Sequence, residues 1–413
     1  MKKVIIIGGG AAGMMAAISA ARAGHRVLLL EKNEKLGKKL FITGKGRCNI
    51  TNDCEPEEFL SHVMTNPRFL YSAFARFNNR DMVRFLNENG VKTKVERGRR
   101  VFPASDHSSD VIGAFRRLCE KYGVEVRLGA EVSEILLDDK KEKVSAVKMK
   151  NGESIAADAV ILAAGGSSYT STGSDGSGVA LASRTGHGIS TPEPSLVPFI
   201  IKEPWCKELM GLTMKNISIK VKNGKKIIYE GFGELLFTHF GVSGPLVLTA
   251  STCLGKYQKP LREGKLKLFM DCKPALTTEQ LEKRFLKEFD MWKNKNISKV
   301  AEQMLPRKLV PVFLEEADVP SDKKVRDITR QERRRMVEKM KSMELSILGV
   351  RGFEEAIVTR GGVKVKEISP ATMESKRIKN LYFAGEVMDV DAVTGGYNLQ
   401  IAWSTGYTAG LLL

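Results

Sequence analysis

The 413-residue chain lacks any run of the roughly 18 apolar residues that a membrane helix needs, which excludes a helical membrane span. Its opening Met1-Lys2-Lys3 leads into a short apolar stretch that ends at glycines, unlike a secretory signal with its longer core and small-residue cleavage site. Cysteine is scarce: six in all, none spaced C-x-x-C. That excludes a disulfide scaffold and leads to an expectation of reduced thiols in a cytoplasm. The five histidines and six cysteines form no group with metal-ligand spacing, so no metal site is expected. Internal repeats and low-complexity tracts are absent as well. What remains is an ordinary globular composition, 42% hydrophobic and 28% charged, long enough for two or three domains. The one excess is positive charge, 66 Lys and Arg against 48 Asp and Glu, a net +18 that raises the question of a nucleic-acid partner.

Chemistry is most legible at the N-terminus. Val4-Ile5-Ile6-Ile7 reads as a buried parallel strand, followed by Gly8, Gly10 and Gly13 in G-x-G-x-x-G spacing and a small-residue helix from Ala11 to Ala23. In this pattern the first glycine permits the tight turn. The second lets backbone amides approach a pyrophosphate, and the third lets helix and sheet pack closely. The helix start at Ala11 and Ala12 offers oriented N–H groups to the phosphates. A second strand, Val27 to Leu30, ends in Glu31, 18 residues past Gly13, suited to both ribose hydroxyls and repellent to a 2′-phosphate. The site therefore fits FAD or NAD and not NADP. A glycine-rich turn without ligand would share the glycines but not the ordered series of strand, helix, strand and acid.

Two more apolar strands end in glycine. Residues 160–164 run into Gly165-Gly166 from Ala164, and residues 381–384 run into Gly385-Glu386. Ligands of open α/β sheets sit at the carboxyl ends of the strands, so these ends are candidates to ring one long cofactor. Glu386 suits the ribityl hydroxyls of a flavin. Thr394-Gly395-Gly396-Tyr397-Asn398 starts a last helix whose N-terminus suits the pyrimidine edge of the ring. The stretch containing Val132 is expected to pass the adenine end. Lys32, Lys38, Lys39 and Lys45 add cations around an anionic cofactor.

Three longer segments carry a family resemblance. They are Gly44-Lys45-Gly46-Arg47-Cys48-Asn49 with Thr51-Asn52; Phe237-Thr238-His239 with Gly241-Val242-Ser243-Gly244-Pro245; and Ala384-Gly385-Glu386 through Asp389-Val390-Asp391 to Thr394–Gln400. The chain resembles, over essentially its whole length, the bacterial flavoproteins labelled HI0933-like or YhiN-like, also called the BaiN/RdsA or aminoacetone oxidase family. Lys45 departs from the glycine more usual there and adds a cation beside the expected ligand. The resemblance implies an α/β fold: a Rossmann-like, doubly wound FAD/NAD(P)-binding domain, with an inserted β-barrel-like part and a helical part. It also implies non-covalent FAD, a dehydrogenase label, and in some relatives reduction of a conjugated carbon–carbon double bond in bile-acid-like substrates.

Along the chain, residues 57–90 and Ser108 to Tyr122 read as helical, Val124 to Leu137 as strands, and Pro192, Pro194 and Pro198 mark a boundary. Phe199 to Asp271 alternates as β structure, Thr278 to Lys341 is helical and charged, and β signals resume near Ile357. The expected division is a flavin domain at residues 1–192 and 360–413, with a substrate-covering insertion at 193–359. No second dinucleotide fingerprint is present. Gly173, Gly176 and Gly178 read as a flavin-domain loop, so NAD(P)H, if it is the reductant, is expected to dock transiently.

For enone reduction an acid must protonate the carbon next to the one that receives hydride. His239 is the favoured acid or substrate contact, against a turn histidine satisfied by backbone. Tyr397 is a second candidate, against a packing tyrosine. Arg47 with Asn49 is read as holding FAD phosphates rather than a substrate oxyanion. Cys48 beside Arg47 invites a reactive-thiol reading, against a buried inert cysteine. The expected function is an FAD-dependent oxidoreductase passing hydride between NAD(P)H, flavin and a small unsaturated molecule. The alternatives are an RNA-associated flavoprotein using basic patches at Lys215–Lys226 and Lys323–Lys341, and a flavin-dependent oxidase. Glu332, Glu338 and Glu344 interleave with the second patch and favour a solvated helix face.

Overall fold

The computed structural model describes residues 1–412. The chain forms two compact units, Met1–Ser195 with Gly352–Leu413, and Leu196–Arg351. The first is built on a five-stranded parallel sheet in the order β19-β10-β1-β2-β6: Leu381–Phe383, Ala159–Leu162, Lys3–Ile7, Arg26–Leu30 and Glu125–Arg127. β1 and β10 are apolar because both faces of such a sheet are covered, and Val4, Ile5, Ile6, Val160, Ile161 and Leu162 have no exposed surface. All strands point the same way, so the three glycine-ended strands finish on one edge.

The first helix, Ala11–Arg22, packs along the final helix, Tyr397–Gly410. Their approach is set by glycine. A Cβ on Gly406 would lie 2.4 Å from the Ala12 carbonyl oxygen, and one on Gly410 2.5 Å from that of Ala16. Buried Trp403 donates from Nε1 to the Ile50 carbonyl at 3.1 Å and so joins the final helix to the segment before β3, Thr51–Asn52. β3 heads a small antiparallel sheet with β5, Arg100–Pro103, and β4, Thr93–Glu96. Another antiparallel sheet joins β7, Val132–Leu137, β8, Val144–Met149, and β9, Ser154–Ala156. β11, Ile189–Ser195, pairs with the returning β18, Val358–Val363.

The second unit is a closed six-stranded barrel with its own apolar core and a helical part. Its strands are β12, Phe199–Ile201; β13, Thr213–Asn223; β14, Lys226–Thr238; β15, Gly241–Ser243; β16, Leu266–Asp271; and β17, Met343–Val350. β17 lies where the sequence reading left a gap, between the helical segment and Ile357. It alternates, with Met343, Leu345 and Ile347 wholly buried, and pairs with both β16 and β12 to close the barrel. The predicted helix over 57–90 is broken into Pro56–Ser61, Tyr71–Arg76 and Asn79–Glu88, the last started by an Asn78 cap reciprocated by Asp81. No described helix is long and apolar enough to cross a membrane.

Candidate functional site

The fingerprint glycines do three different jobs. Gly8 has φ +105°, and a Cβ there would meet the Ala163 carbonyl oxygen at 2.6 Å. A Cβ on Gly13 would sit 1.8 Å from the Gly8 carbonyl oxygen, whereas one on Gly10 would meet nothing within 4 Å. Two glycines are thus consumed by packing, and one leaves open space before the first helix. No side chain caps that helix, so the amides of its first turn, at Ala11, Ala12 and Gly13, are left for an external acceptor. Glu31, at the end of β2, is buried. One carboxylate oxygen accepts from Gly9 N at 2.7 Å, the other from Asn33 N at 2.8 Å and Asn33 Nδ2 at 2.7 Å. Ala130 N donates to the Glu31 carbonyl at 2.9 Å, which brings the segment leading to Val132 beside the acid.

At the end of β10, Ala164 leads into Gly165, φ +76°, whose Cβ would lie 2.7 Å from Ser174 Oγ. That hydroxyl is buried with no hydrogen-bond partner. Gly166 is closed in by Thr359 and Glu386. The loop carrying Gly173 and Gly176 is tied to the β2 end: Asn33 Nδ2 donates to the Thr172 carbonyl at 3.1 Å, and Lys32 Nζ binds Asp175 at 2.8 Å. At the end of β19, Gly385, φ +73°, packs on Ala12, with 2.8 Å between a notional Cβ and the Ala12 Cβ. Three strand ends therefore converge on the start of one helix. An uncapped helix N-terminus, an open glycine, a buried acid and an orphaned hydroxyl together fit a dinucleotide laid across this edge.

Lys39 and Glu386 are joined across 347 residues. Lys39 Nζ lies 2.6 Å from Glu386 Oε2 and 2.6 Å from Ser168 Oγ. The other Glu386 oxygen accepts from Thr359 N at 2.7 Å and Ser168 Oγ at 3.0 Å. Sequence reading named the acid and the lysine separately. Ser168 and Thr359 carried no signal, being ordinary hydroxyls in loops.

Arg47 was read as holding cofactor phosphates, but its guanidinium is 2.7 Å from Glu96, 3.1 Å from Asp106 and 4.1 Å above the Phe102 ring. Two carboxylates thus offset its charge, while Nε and Nη2 are buried without a well-aligned hydrogen bond. Gly44 and Lys45 bend the loop at φ +58° and +59°, and Gly46 lies at φ +84°. Asn49 donates to the Thr51 and Val101 carbonyls and accepts from Gly396 N at 3.0 Å, joining this loop to the start of the final helix. Thr51 Oγ1 donates to Gln400 Oε1 at 2.8 Å, and Asn52 Nδ2 donates to the Gly395 carbonyl at 3.1 Å.

Cys48 is fully buried, and burial pushes its thiol up to about 12, against the reactive reading. Cys48 and Cys54 are both free thiols. Only Cys253 among the six is even partly exposed, and its thiol too is raised by burial. A thiol reagent at neutral pH is expected to label at most one cysteine in the native protein and all six after denaturation, counted by intact mass.

Tyr397, considered as a proton donor, is a packing residue. Its ring stacks on His62 at 4.5 Å and leans on Phe59 at 4.9 Å, and burial raises its phenol well above the ordinary range. Asn398 holds the preceding loop, accepting from Ala392 N at 2.9 Å and donating to the Ala392 carbonyl at 2.8 Å. The same loop is pinned by Ser190 Oγ on Asp389 at 2.6 Å and Ser195 Oγ on Asp391 at 3.0 Å. His239 lies in the second unit, exposed at the turn between β14 and β15, its ring edge-on to Phe240 at 4.8 Å. No group of three or more metal-ligating side chains occurs among the described residues.

Residues 2–412 match the family described as "HI0933-like protein Rossmann domain". The chain is 34% identical over 414 residues to the 3-dehydro-bile acid delta(4,6)-reductase of Clostridium scindens, covering 99% of this chain and 98% of that one. It is 32% identical over 410 residues to the ribosomal RNA dihydrouridine synthase of Haemophilus influenzae, covering 98% and 97%. Among solved structures, the 3-ketosteroid delta1-dehydrogenase of Sterolibacterium denitrificans has the same fold, with a TM-score of 0.54 at 15% identity over 99% of this chain and 98% of that one.

Proposed function

The chain belongs to the HI0933-like family of FAD-dependent oxidoreductases, and we propose that it reduces a carbon–carbon double bond conjugated to a carbonyl. The observation that carries the FAD assignment is the convergence of three strand ends on the uncapped first helix, with the final helix beginning beside the Gly44–Asn49 loop. The amides of Ala11, Ala12 and Gly13 would hold the pyrophosphate, and Glu31 the ribose. Gly385 and Glu386 would lie along the ribityl chain, and the start of the final helix at the ring. Lys39 holds Glu386 in place through their 2.6 Å contact. When bound, FAD supplies the two-electron chemistry, with hydride passing to the β-carbon of the substrate.

The substrate reading comes from what the two relatives' names share. A delta(4,6)-reductase of a 3-dehydro steroid and a dihydrouridine synthase both saturate a double bond in conjugation with a ring carbonyl. The chain must then hold that carbonyl and give a proton to the α-carbon. With Tyr397 packed and Cys48 buried, His239 is the proposed donor. NAD(P)H is the proposed reductant. The test is anaerobic. Holoenzyme is mixed with NADH or NADPH to follow flavin bleaching, and photoreduced holoenzyme is then mixed with a 3-oxo-4-ene steroid. Reoxidation by the enone, none by the 4,5-saturated ketone, and at least tenfold slower reoxidation in His239→Gln are expected. Equal reoxidation by both steroids would remove the reading.

A second reading, an RNA substrate, is favoured by one observation. The unit Leu196–Arg351 carries 31 Lys and Arg against 19 Asp and Glu, +12 of the net +18. Retention of RNA that falls steeply with salt would support it.

A further inference from the structure

We propose that Asn49 and Asn52 are positioning residues for the flavin: together they clamp the one peptide group that joins Gly395 to Gly396, and so aim the start of the final helix. This rests on the reading above that sets the flavin ring at that helix start. Gly395 has φ +124° and Gly396 φ +98°, conformations that favour glycine. A peptide flanked by two glycines rotates its plane at little steric cost, because no Cβ opposes the motion. Here both of its polar ends are held. Asn52 Nδ2 donates to the Gly395 carbonyl at 3.1 Å, and the Asn49 side-chain oxygen accepts from Gly396 N at 3.0 Å.

The clamp is itself held. Asn52 is buried, and its Nδ2 also donates to the Gly98 carbonyl at 3.0 Å. The Asn49 side-chain nitrogen donates to the Thr51 carbonyl at 3.2 Å and the Val101 carbonyl at 3.3 Å. Buried Asn79 donates from Nδ2 to the Asn52 carbonyl at 2.7 Å and the Cys54 carbonyl at 2.8 Å, which fixes the backbone that carries the clamp. The glycine turn lies directly on β3, since a Cβ on Gly396 would be 2.4 Å from the Thr51 carbonyl oxygen. Two hydrogen bonds of ordinary strength favour this peptide orientation over its reverse by about thirtyfold.

The consequence falls on the helix. Gly396 N is spent on Asn49, no side chain caps the helix, and Gln400 N opens the helical ladder on the Gly396 carbonyl at 3.1 Å. The amides of the first turn, at Tyr397, Asn398 and Leu399, are left for an outside acceptor, and the clamped peptide sets their direction. Negative charge develops at the pyrimidine edge when a flavin is reduced. A helix start aimed there therefore favours the reduced form over the oxidised one, and loosening the clamp lowers the midpoint potential.

The test compares native holoenzyme with Asn49→Leu and Asn52→Leu, and with Thr51→Val as a control. Thr51 Oγ1 donates to Gln400 Oε1 at 2.8 Å, so Thr51→Val cuts a bond between the same strand and the same helix but leaves the peptide clamp whole. Denaturant midpoints report that each variant is folded and how much stability it loses. The midpoint potential of the bound flavin is measured by equilibration with a redox dye. In each asparagine variant the preference for reduced over oxidised flavin is expected to weaken about tenfold, a fall of about 30 mV. Thr51→Val should keep the native potential whatever stability it loses. Where an Asn→Leu variant does not fold, Asn→Ser at the same position, which leaves room for a water at the freed peptide group, is measured in its place. A folded asparagine variant that holds no flavin, beside a flavin-loaded Thr51→Val, also supports the proposal. A native potential in either asparagine variant, or an equal fall or flavin loss in Thr51→Val, overturns it while the flavin reading stands. A native protein that binds no FAD on reconstitution removes that reading, and the proposal with it.

Discussion

Gly10→Val is expected to give a folded protein that purifies without flavin, whereas Gly13→Ala is expected to give little folded protein. The two glycines are three residues apart in one fingerprint, yet they face opposite constraints. At Gly10 the backbone lies at φ −81° and ψ −167°, an extended conformation that a β-branched residue adopts readily. A Cβ there meets nothing within 4 Å, so the fold loses only the helix-capping preference of glycine over valine, about 1 kcal/mol. The new side chain instead fills the space through which phosphate oxygens must reach the amides of Ala11 to Gly13. A loss of at least a hundredfold in FAD affinity, about 3 kcal/mol, is expected. At Gly13 the added carbon would lie 1.8 Å from a backbone oxygen of the β1 turn, and neither partner is a flexible side-chain end. Helix and strand must separate, at a cost of about 3 kcal/mol or more. Visible absorbance of the purified protein and its denaturant midpoint distinguish the two outcomes. A flavin-loaded Gly10→Val protein would remove the helix start from the cofactor site.

Glu386→Ala should be the most damaging change of a single charged group. It removes the carboxylate facing the Lys39 ammonium and Ser168 hydroxyl, which keep each other, and strands the Thr359 amide. The Lys39 and Glu386 side chains are 23% and 20% exposed, so water reaches part of the pair and the full cost of a buried orphaned charge does not apply. A loss of about 2 kcal/mol in stability is expected, together with weakened flavin retention. Lys39→Met with Glu386→Gln, which removes both charges and keeps two side chains of similar size, should recover part of the stability but not the flavin. If the double variant retained flavin as well as the native protein does, the pair would be structural only.

The legibility of this chain is uneven for physical reasons. Gly8, Gly10, Gly13 and Glu31 are readable because their roles depend on local spacing along one strand–helix–strand unit. The packing glycines Gly406 and Gly410 are four residues apart, as close helix packing requires, but their partner helix is nearly four hundred residues away, so spacing alone does not say what they meet. β17 follows a charged helix directly, and its place in the barrel is set by β12 and β16, which lie about 145 and 77 residues earlier. Arg47, a cation next to a glycine loop, meets Glu96 and Asp106 about fifty residues on, partners that no local pattern announces. Tyr397 reads from its motif as either a donor or a packing tyrosine, and only the fold brings Phe59 and His62 against its ring.

By itself the sequence determined the dinucleotide-binding edge, the interruption of that domain by a β-rich and helical segment, and the excess of positive charge. These follow from local periodicity, glycine spacing and composition, which need no knowledge of distant neighbours. Tertiary structure alone decided which charged and polar groups meet. Lys39 on Glu386, Arg47 between two acids, and Asn52 between Gly98 and Gly395 are pairings across tens to hundreds of residues. Such pairings fix where each charged or polar group is held relative to cofactor or substrate, and spacing along the chain does not reveal them.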